Sequence, residues 1–252
     1  MMQSIPDAAQ TDQVADLVLF VEKYGDTFPS LRKRVLQLRD AHSVRVDLLL
    51  AQDMLQAVRT LGENDANDKI SRDACLGLIQ IVVVLYARAL NEASNHRRKL
   101  QMLSKFTPAE KSTHIMMCAL RSDAIAHFGP GRQIDQVWRD DGVFLVPNPD
   151  GSSIVASLSR NMAADRDLID TLDQQVSRAV ILSVAEVQRR NTRVVHALDS
   201  AMNGCPTFAD LLTQSQVSLG HFLGSSEASA SILSGPRFGT AKGGYAAKRV
   251  QV

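Results

Sequence analysis

From Thr11 to Met202 the apolar residues recur mostly at intervals of three and four, the spacing that lines up one face of an α-helix. Val14, Leu17, Val21 and Tyr24 predict a first helix. Leu31, Val35, Leu38, Val46, Leu49, Met54 and Val58 predict a second after the Pro29-Ser30 start signal, interrupted near His42. The "GENDANDK" cluster is a turn. A long helix is expected next, from about 68 to 103, apolar almost all round between Leu76 and Leu85, as befits the central helix of a bundle. Its far end, "NHRRKL", is polar and basic. Thr107 and Glu110 then form a T-x-x-E capping box with Pro108 at the first helical position, and Gly129-Pro130-Gly131 is a hard stop, so a helix is placed at about 108–128.

The period then changes. "QIDQVWRDDGVFLVPNPDGSSIVASLSR" holds two Asp-Gly pairs, Asp141-Gly142 and Asp150-Gly151, between short runs of strand formers. Asp-Gly favours tight hairpin turns, so a small β-hairpin or three-stranded meander is expected over about 134–158, anchored to the bundle by Trp138. From Asp165 to about Met202 the helical spacing returns through Leu168, Leu172, Val176, Val180, Val184, Val187, Val194 and Leu198, and Asn203-Gly204 ends it. A short helix is expected within 206–224, followed by a Ser-, Gly- and Ala-rich, mildly basic tail over 225–252 that reads as disordered. The fold class is therefore mainly α: an up-and-down helical bundle over about 10–205 with a small β insertion.

Composition narrows the chemistry. Of 252 residues, 45% are hydrophobic and 22% charged, enough for a sizeable core. The 28 basic residues against 27 acidic ones leave a formal charge of +1, which argues against a general nucleic-acid coat but leaves room for a local basic patch. Cys75, Cys118 and Cys205 are far apart and odd in number, so neither a disulfide framework nor a zinc site is indicated, and no cofactor is called for. The "MMQSIPDAAQ" start lacks signal-peptide order, and "CLGLIQIVVVLYARAL" falls short of the roughly 20 residues of a membrane span, so a cytoplasmic protein is expected. His42, His96, His114 and His221 show no metal-ligand spacing.

One stretch carries candidate chemistry: "LRSDAIAHFGPG", in which Arg121 precedes His127 by six positions at the end of the capped helix. Ala124 and Ala126 leave room for another helix to approach. A second match, Arg190 to His196 in "RNTRVVH", lies mid-helix among arginines that read as a solvated face. The first stretch resembles the R-x4-6-H signature of the HEPN superfamily, whose members often read "RNxAIAH" followed by an aromatic residue. That resemblance covers one helix. It implies a helical bundle that dimerises so that two motif helices share a cleft, and metal-independent cleavage of RNA, as in toxins and phage-defence proteins; other members are non-catalytic binding or regulatory modules. An antitoxin or regulatory partner protein is a further implication.

The residue types suit that chemistry. A neighbouring 2′-hydroxyl serves as nucleophile, histidine moves protons near neutral pH, and arginine's planar fork holds charge on phosphoryl oxygens. On an ideal helix, six residues turn Arg121 and His127 about 120° apart with a rise of about 9 Å, so a groove shared across a two-fold axis is the arrangement that joins them. Ser122 stands where the family commonly has Asn, Asp or His; it can hydrogen-bond but not act as acid or base. Asp123, four residues before His127, either orients the imidazole or is a surface ion-pair partner. If the helices at 68–103 and 108–128 form a tight hairpin, Arg121 lies level with Asn91 and Glu92 and His127 near Tyr86. Asn91 and Glu92 are then either partners of Arg121 or an ordinary exposed helix end. Arg97, Arg98 and Lys99 either guide RNA phosphates to the cleft or are solvated charge.

Overall fold

The computed structural model describes residues 12–64, 68–91, 97–122, 139–147, 152–161 and 166–234. Within them the protein is mainly α, with two small antiparallel sheets. Chain contacts divide it into two compact units, one of residues 37–191 and one of residues 1–36 with 192–252.

The larger unit is a helical bundle. It contains most of α2 (Pro29–Asn64), all of α3 (Lys69–Leu90) and α4 (Pro108–Ala119), and most of α5 (Arg166–Gly204). Val44, Leu48, Ala51, Leu55 and Val58 from α2 meet Ile79, Val82, Val83 and Tyr86 from α3 and Leu172, Val176 and Ala179 from α5 in one dry core. These positions are three and four apart, as packed helix faces require. On α5 they include Leu172 and Val176 of the expected stripe, but on α2 the buried face is Val44, Leu48, Ala51 and Leu55, while Val46, Leu49 and Met54 of the expected stripe are only half-buried. α2 runs without a break through His42, where an interruption was expected. Asp68 caps α3 by accepting from the Ser71 amide at 2.8 Å. Thr107 and Glu110 cap α4 reciprocally, at 3.2 Å and 2.7 Å, as the capping box requires.

Three expectations for this unit change. The helix foreseen over 68–103 ends at Leu90 with Asn91 as its cap. Beyond Arg97, Leu100 and Met102 turn into the core at 1% exposure each, with Gln101 between them exposed. The segment has no regular structure up to the short 3-10 turn at Leu103–Lys105, and burial of Leu100 and Met102 outweighs the basic run's helix propensity. Second, regular α-helix in α4 stops at Ala119 and gives way to a π turn over Leu120–Ser122; residues 123–131, with the expected stop, lie outside the described residues. Third, Asp141-Gly142 is not a turn. Strands β2 (Arg139–Pro147) and β3 (Ser153–Asn161) form one hairpin in which Gly142 sits opposite Leu158, and the connection falls between Pro147 and Ser153. The Phe144 ring lies over Gly142, where a Cβ would stand 2.3 Å from it and turn the exposed ring aside. Trp138 lies outside the described residues.

The other unit joins the two ends of the chain. β1 (Gln13–Ala15) pairs antiparallel with β4 (Gln216–Ser218), so Val14 belongs to a strand and α1 (Leu17–Tyr24) begins only after the Asp16 cap. Asp12 accepts from the Ser218 hydroxyl at 2.7 Å and the Gly220 amide at 3.0 Å. Phe208 packs edge to face on Phe20 and Phe28, each with centroids 5.2 Å apart, and Phe20 and Phe28 meet at a tilt at 5.7 Å. The segment expected as one short helix is α6 (Phe208–Thr213), β4 and α7 (Leu219–Leu223). Where a disordered tail was expected from 225, α8 (Ser226–Ser234) follows, with Ser229 buried; residues 235–252 lie outside the described residues.

Candidate functional site

The bundle holds three polar constellations among its described residues. The first joins α3, α4 and α5. Gln175 Nε2 donates to Tyr86 Oη at 2.7 Å, and Tyr86 Oη lies 3.2 Å from His114 Nδ1. Tyr86 Oη thus bridges the Gln175 amide and the His114 ring as acceptor from one and partner of the other. Cys118, one turn along α4, places its sulfur 3.7 Å from Nε2. Phe106 and Tyr86 flank the imidazole, with ring centroids 6.2 and 5.8 Å away. Burial pushes the His114 pKa below its ordinary value, and the Lys99 charge adds to that. Burial also drives the Tyr86 hydroxyl well above its usual range, against the opposing bond from Gln175. The result is a core network of groups that burial keeps toward their neutral forms, linking α3, α4 and α5.

The second constellation surrounds Asp47, which α2 presents on its core-facing stripe between Val44 and Ala51. Arg97 Nη1 donates to Asp47 Oδ2 at 2.6 Å and to Ser43 Oγ at 3.3 Å, and Arg97 also reaches the Arg88 carbonyl. Arg88 Nε donates to the same carboxylate at 3.1 Å, and its Nη2 bonds the other oxygen. About two turns earlier on α2, Asp40 accepts from the Arg98 amide at 3.3 Å, with the Arg39 guanidinium 3.8 Å away. In the third, Glu186 on α5 binds Arg189 and Arg190. Burial raises the Glu186 carboxyl, but the two guanidinium bonds outweigh it and hold the pKa below the ordinary value.

These placements sort the candidates. Arg97 is only 13% exposed at its side chain and spends its donors on Asp47, Ser43 and a carbonyl, so it braces the 97–100 segment and is not a free guide for phosphates. Arg98 and Lys99 are exposed. Asn91 caps α3 through its own amide, bonded to Ala87 at 2.8 Å, and its side chain is exposed. Arg121 and Ser122 occupy the π turn, half-buried, next to Leu120 at 2% exposure. His127, Asp123 and Glu92 lie outside the described residues. His127 was expected near Tyr86 but lies outside the described residues; among those described, His114 meets Tyr86. Arg190, read from sequence as part of a solvated face, is 16% exposed and bound to Glu186 and the Gln37 carbonyl.

His114, Gln175, Asp47 and Glu186 were missed as organising groups. Their signal was nonetheless present: each is a polar residue on an apolar helix stripe, a position that demands a partner. Among the described residues no group of three His, Cys, Asp or Glu could hold a metal ion. Among the described residues one helix, α3, is long and apolar enough to cross a membrane by length and composition; half of its most apolar window is buried inside the protein, as for a bundle's core helix.

Compared with known proteins, the chain matches no family model, and no curated protein and no solved structure is significantly similar to it.

Proposed function

We propose that this protein is a metal-independent endoribonuclease of HEPN type that works in the cytoplasm as a homodimer, in a toxin or phage-defence setting. The observation that carries the reading is the "RSDAIAH" stretch, whose Arg121 leaves a capped helix at a π turn directly after a core-locked leucine. Such turns concentrate at functional sites because they re-aim a side chain without ending the helix. In the reaction, the 2′-hydroxyl oxygen bonds to phosphorus while the bond to the 5′-oxygen breaks. His127 moves the proton taken from the hydroxyl and supplies one to the leaving oxygen, and Arg121 holds charge on the non-bridging oxygens. Two copies of the motif helix supply the two walls of the groove. The test is cleavage of mixed RNA in EDTA by the wild type, Arg121→Ala and His127→Ala. Cleavage that survives chelation and disappears in both folded variants supports the enzyme; equal behaviour of all three proteins removes it.

A second reading, a non-catalytic helical binding or regulatory module, is favoured by the β2–β3 hairpin. Val143, Phe144, Leu145, Ile154, Val155 and Leu158 are each more than half exposed, a concentration of apolar surface that suits protein contacts.

A further inference from the structure

We propose that the face of α2 bearing Asp40 and Asp47, with the 97–99 segment laid across it, is a binding surface for the phosphodiester backbone of single-stranded RNA. Choosing RNA among polyanions rests on the ribonuclease reading; the surface itself rests on the following geometry.

Three guanidinium groups surround two carboxylates: those of Arg88 and Arg97 at Asp47 and that of Arg39 at Asp40. The Arg98 amide bonds Asp40, which brings the backbone of the Arg98-Lys99 pair to the same face. Counted along these segments, Arg39, Arg88, Arg97, Arg98 and Lys99 against Asp40 and Asp47 leave three positive charges, in a chain whose whole formal surplus is one. Both carboxylates are buried, at 4% and 5% exposure, so an incoming anion does not meet them directly. The cations are the outer layer. The side chains of Arg39 and Arg88 are 44% and 49% exposed, and Arg98 and Lys99 are exposed too.

Arg97 is the brace. It ties Asp47 to Ser43 and to the Arg88 carbonyl, which fixes the end of α3 and the start of the 97–100 segment against α2. Asp47 in turn grips one edge of the Arg88 fork through Nε and Nη2, orienting the guanidinium before any ligand arrives. Pre-oriented guanidinium forks match phosphate oxygens in pairs and lose little side-chain freedom on binding. The surface is richer in arginine than in lysine, which favours phosphate over a diffuse carboxylate-rich partner. An anionic membrane would draw on apolar side chains beside the basic ones, but the apolar neighbours Leu90, Leu100 and Met102 are turned inward at 1% exposure.

The test is fluorescence anisotropy of a labelled single-stranded RNA carrying 2′-O-methyl groups, which the proposed reaction cannot cut, with the full chain across a salt series. Removing a phosphate-contacting cation lowers the slope of log affinity against log salt by about 0.7 for a single strand. Arg98→Gln/Lys99→Gln is expected to lower it by about 1.4 and to weaken binding at least about tenfold at low salt. Lys69→Gln, at the opposite end of α3, is expected to change neither, and circular dichroism checks that all variants remain folded. Arg88→Gln, which keeps a donor toward Asp47, is expected to show a single-cation effect. The proposal is overturned if wild type does not bind the RNA, if the double variant binds with unchanged slope, or if polyglutamate or phosphatidylserine vesicles bind as tightly as RNA. Loss of binding in these variants alongside wild-type protein that never cleaves would sink the ribonuclease reading and leave the surface standing. Normal cleavage with unchanged binding in the same variants would do the reverse.

Discussion

Replacing Asp47 with alanine removes the anchor of two arginines at once, and the two do not count equally. Arg88 is 49% exposed at its side chain, so water and salt already screen it and its share is about 0.5 kcal/mol. Arg97 is 13% exposed beside a carboxylate that is 7% exposed, and breaking a buried pair by deleting one partner costs about 3–5 kcal/mol. Arg97 keeps its bonds to Ser43 and the Arg88 carbonyl, which brings its part down to about 2–3 kcal/mol. Asp47→Ala is therefore expected to lose about 3 kcal/mol in urea denaturation followed by far-UV circular dichroism. Arg97→Met removes the stranded charge, so adding it to Asp47→Ala is expected to recover part of the loss, with a coupling of about 2 kcal/mol. A loss below about 0.5 kcal/mol for Asp47→Ala, or strict additivity of the pair, would refute the claim that Arg97 is a brace.

Four further outcomes follow from the same structure. Tyr86→Phe strips Gln175 and His114 of their shared partner in a dry core and is expected to cost about 1–3 kcal/mol by the same denaturation assay, while Gln175→Leu/Tyr86→Phe costs less than the sum. His114 has a depressed pKa in the folded protein, so around and below its ordinary value of 6.5 the unfolded chain binds more protons than the native one. Its contribution is therefore intact above about pH 6.5 and declines as pH falls below it, and His114→Gln is expected to flatten stability against pH in that window. His42, also depressed by burial and by Arg45, acts in the same direction, so His42→Gln is the control that apportions the slope. Val143→Ser and Leu145→Ser, at 73% and 71% exposure, are expected to move stability by less than about 0.5 kcal/mol; a larger loss would mean the hairpin is covered in solution.

The helices were legible because their apolar stripes, caps and stop signals agree with one another. α5 begins and ends within two residues of its expected bounds, and the Thr107–Glu110 box starts α4 where the sequence places it. What local pattern did not disclose was the outcome of competition between distant residues. The basic run after Leu90 looks like a helix end, but its course is decided by Asp40 and Asp47, about fifty residues earlier, which hold Arg97 and the Arg98 amide across α2. Asp141-Gly142 looks like a turn because that dipeptide suits one, yet pairing of β2 with β3 over nine positions on each strand carries it into a strand. Of the candidate site, the sequence placed Arg121 inside a helix expected over about 108–128; regular α-helix ends at Ala119, and the π turn that holds Arg121 has no signature in the local pattern. Nor did it separate Arg97, a brace, from its exposed neighbours Arg98 and Lys99, since all three look alike until their partners are known.

The most direct measurement follows from the 2′-hydroxyl being the nucleophile. Cleavage products of a defined RNA, generated in EDTA, are analysed by mass spectrometry beside the same sequence carrying 2′-deoxy nucleotides at the cut positions. The account predicts fragments ending in a 2′,3′-cyclic phosphate with a 5′-hydroxyl on the other piece, no cutting at the deoxy positions, and no products from Arg121→Ala or His127→Ala. Cutting at the deoxy positions, or fragments from both variants at the wild-type rate, would contradict it.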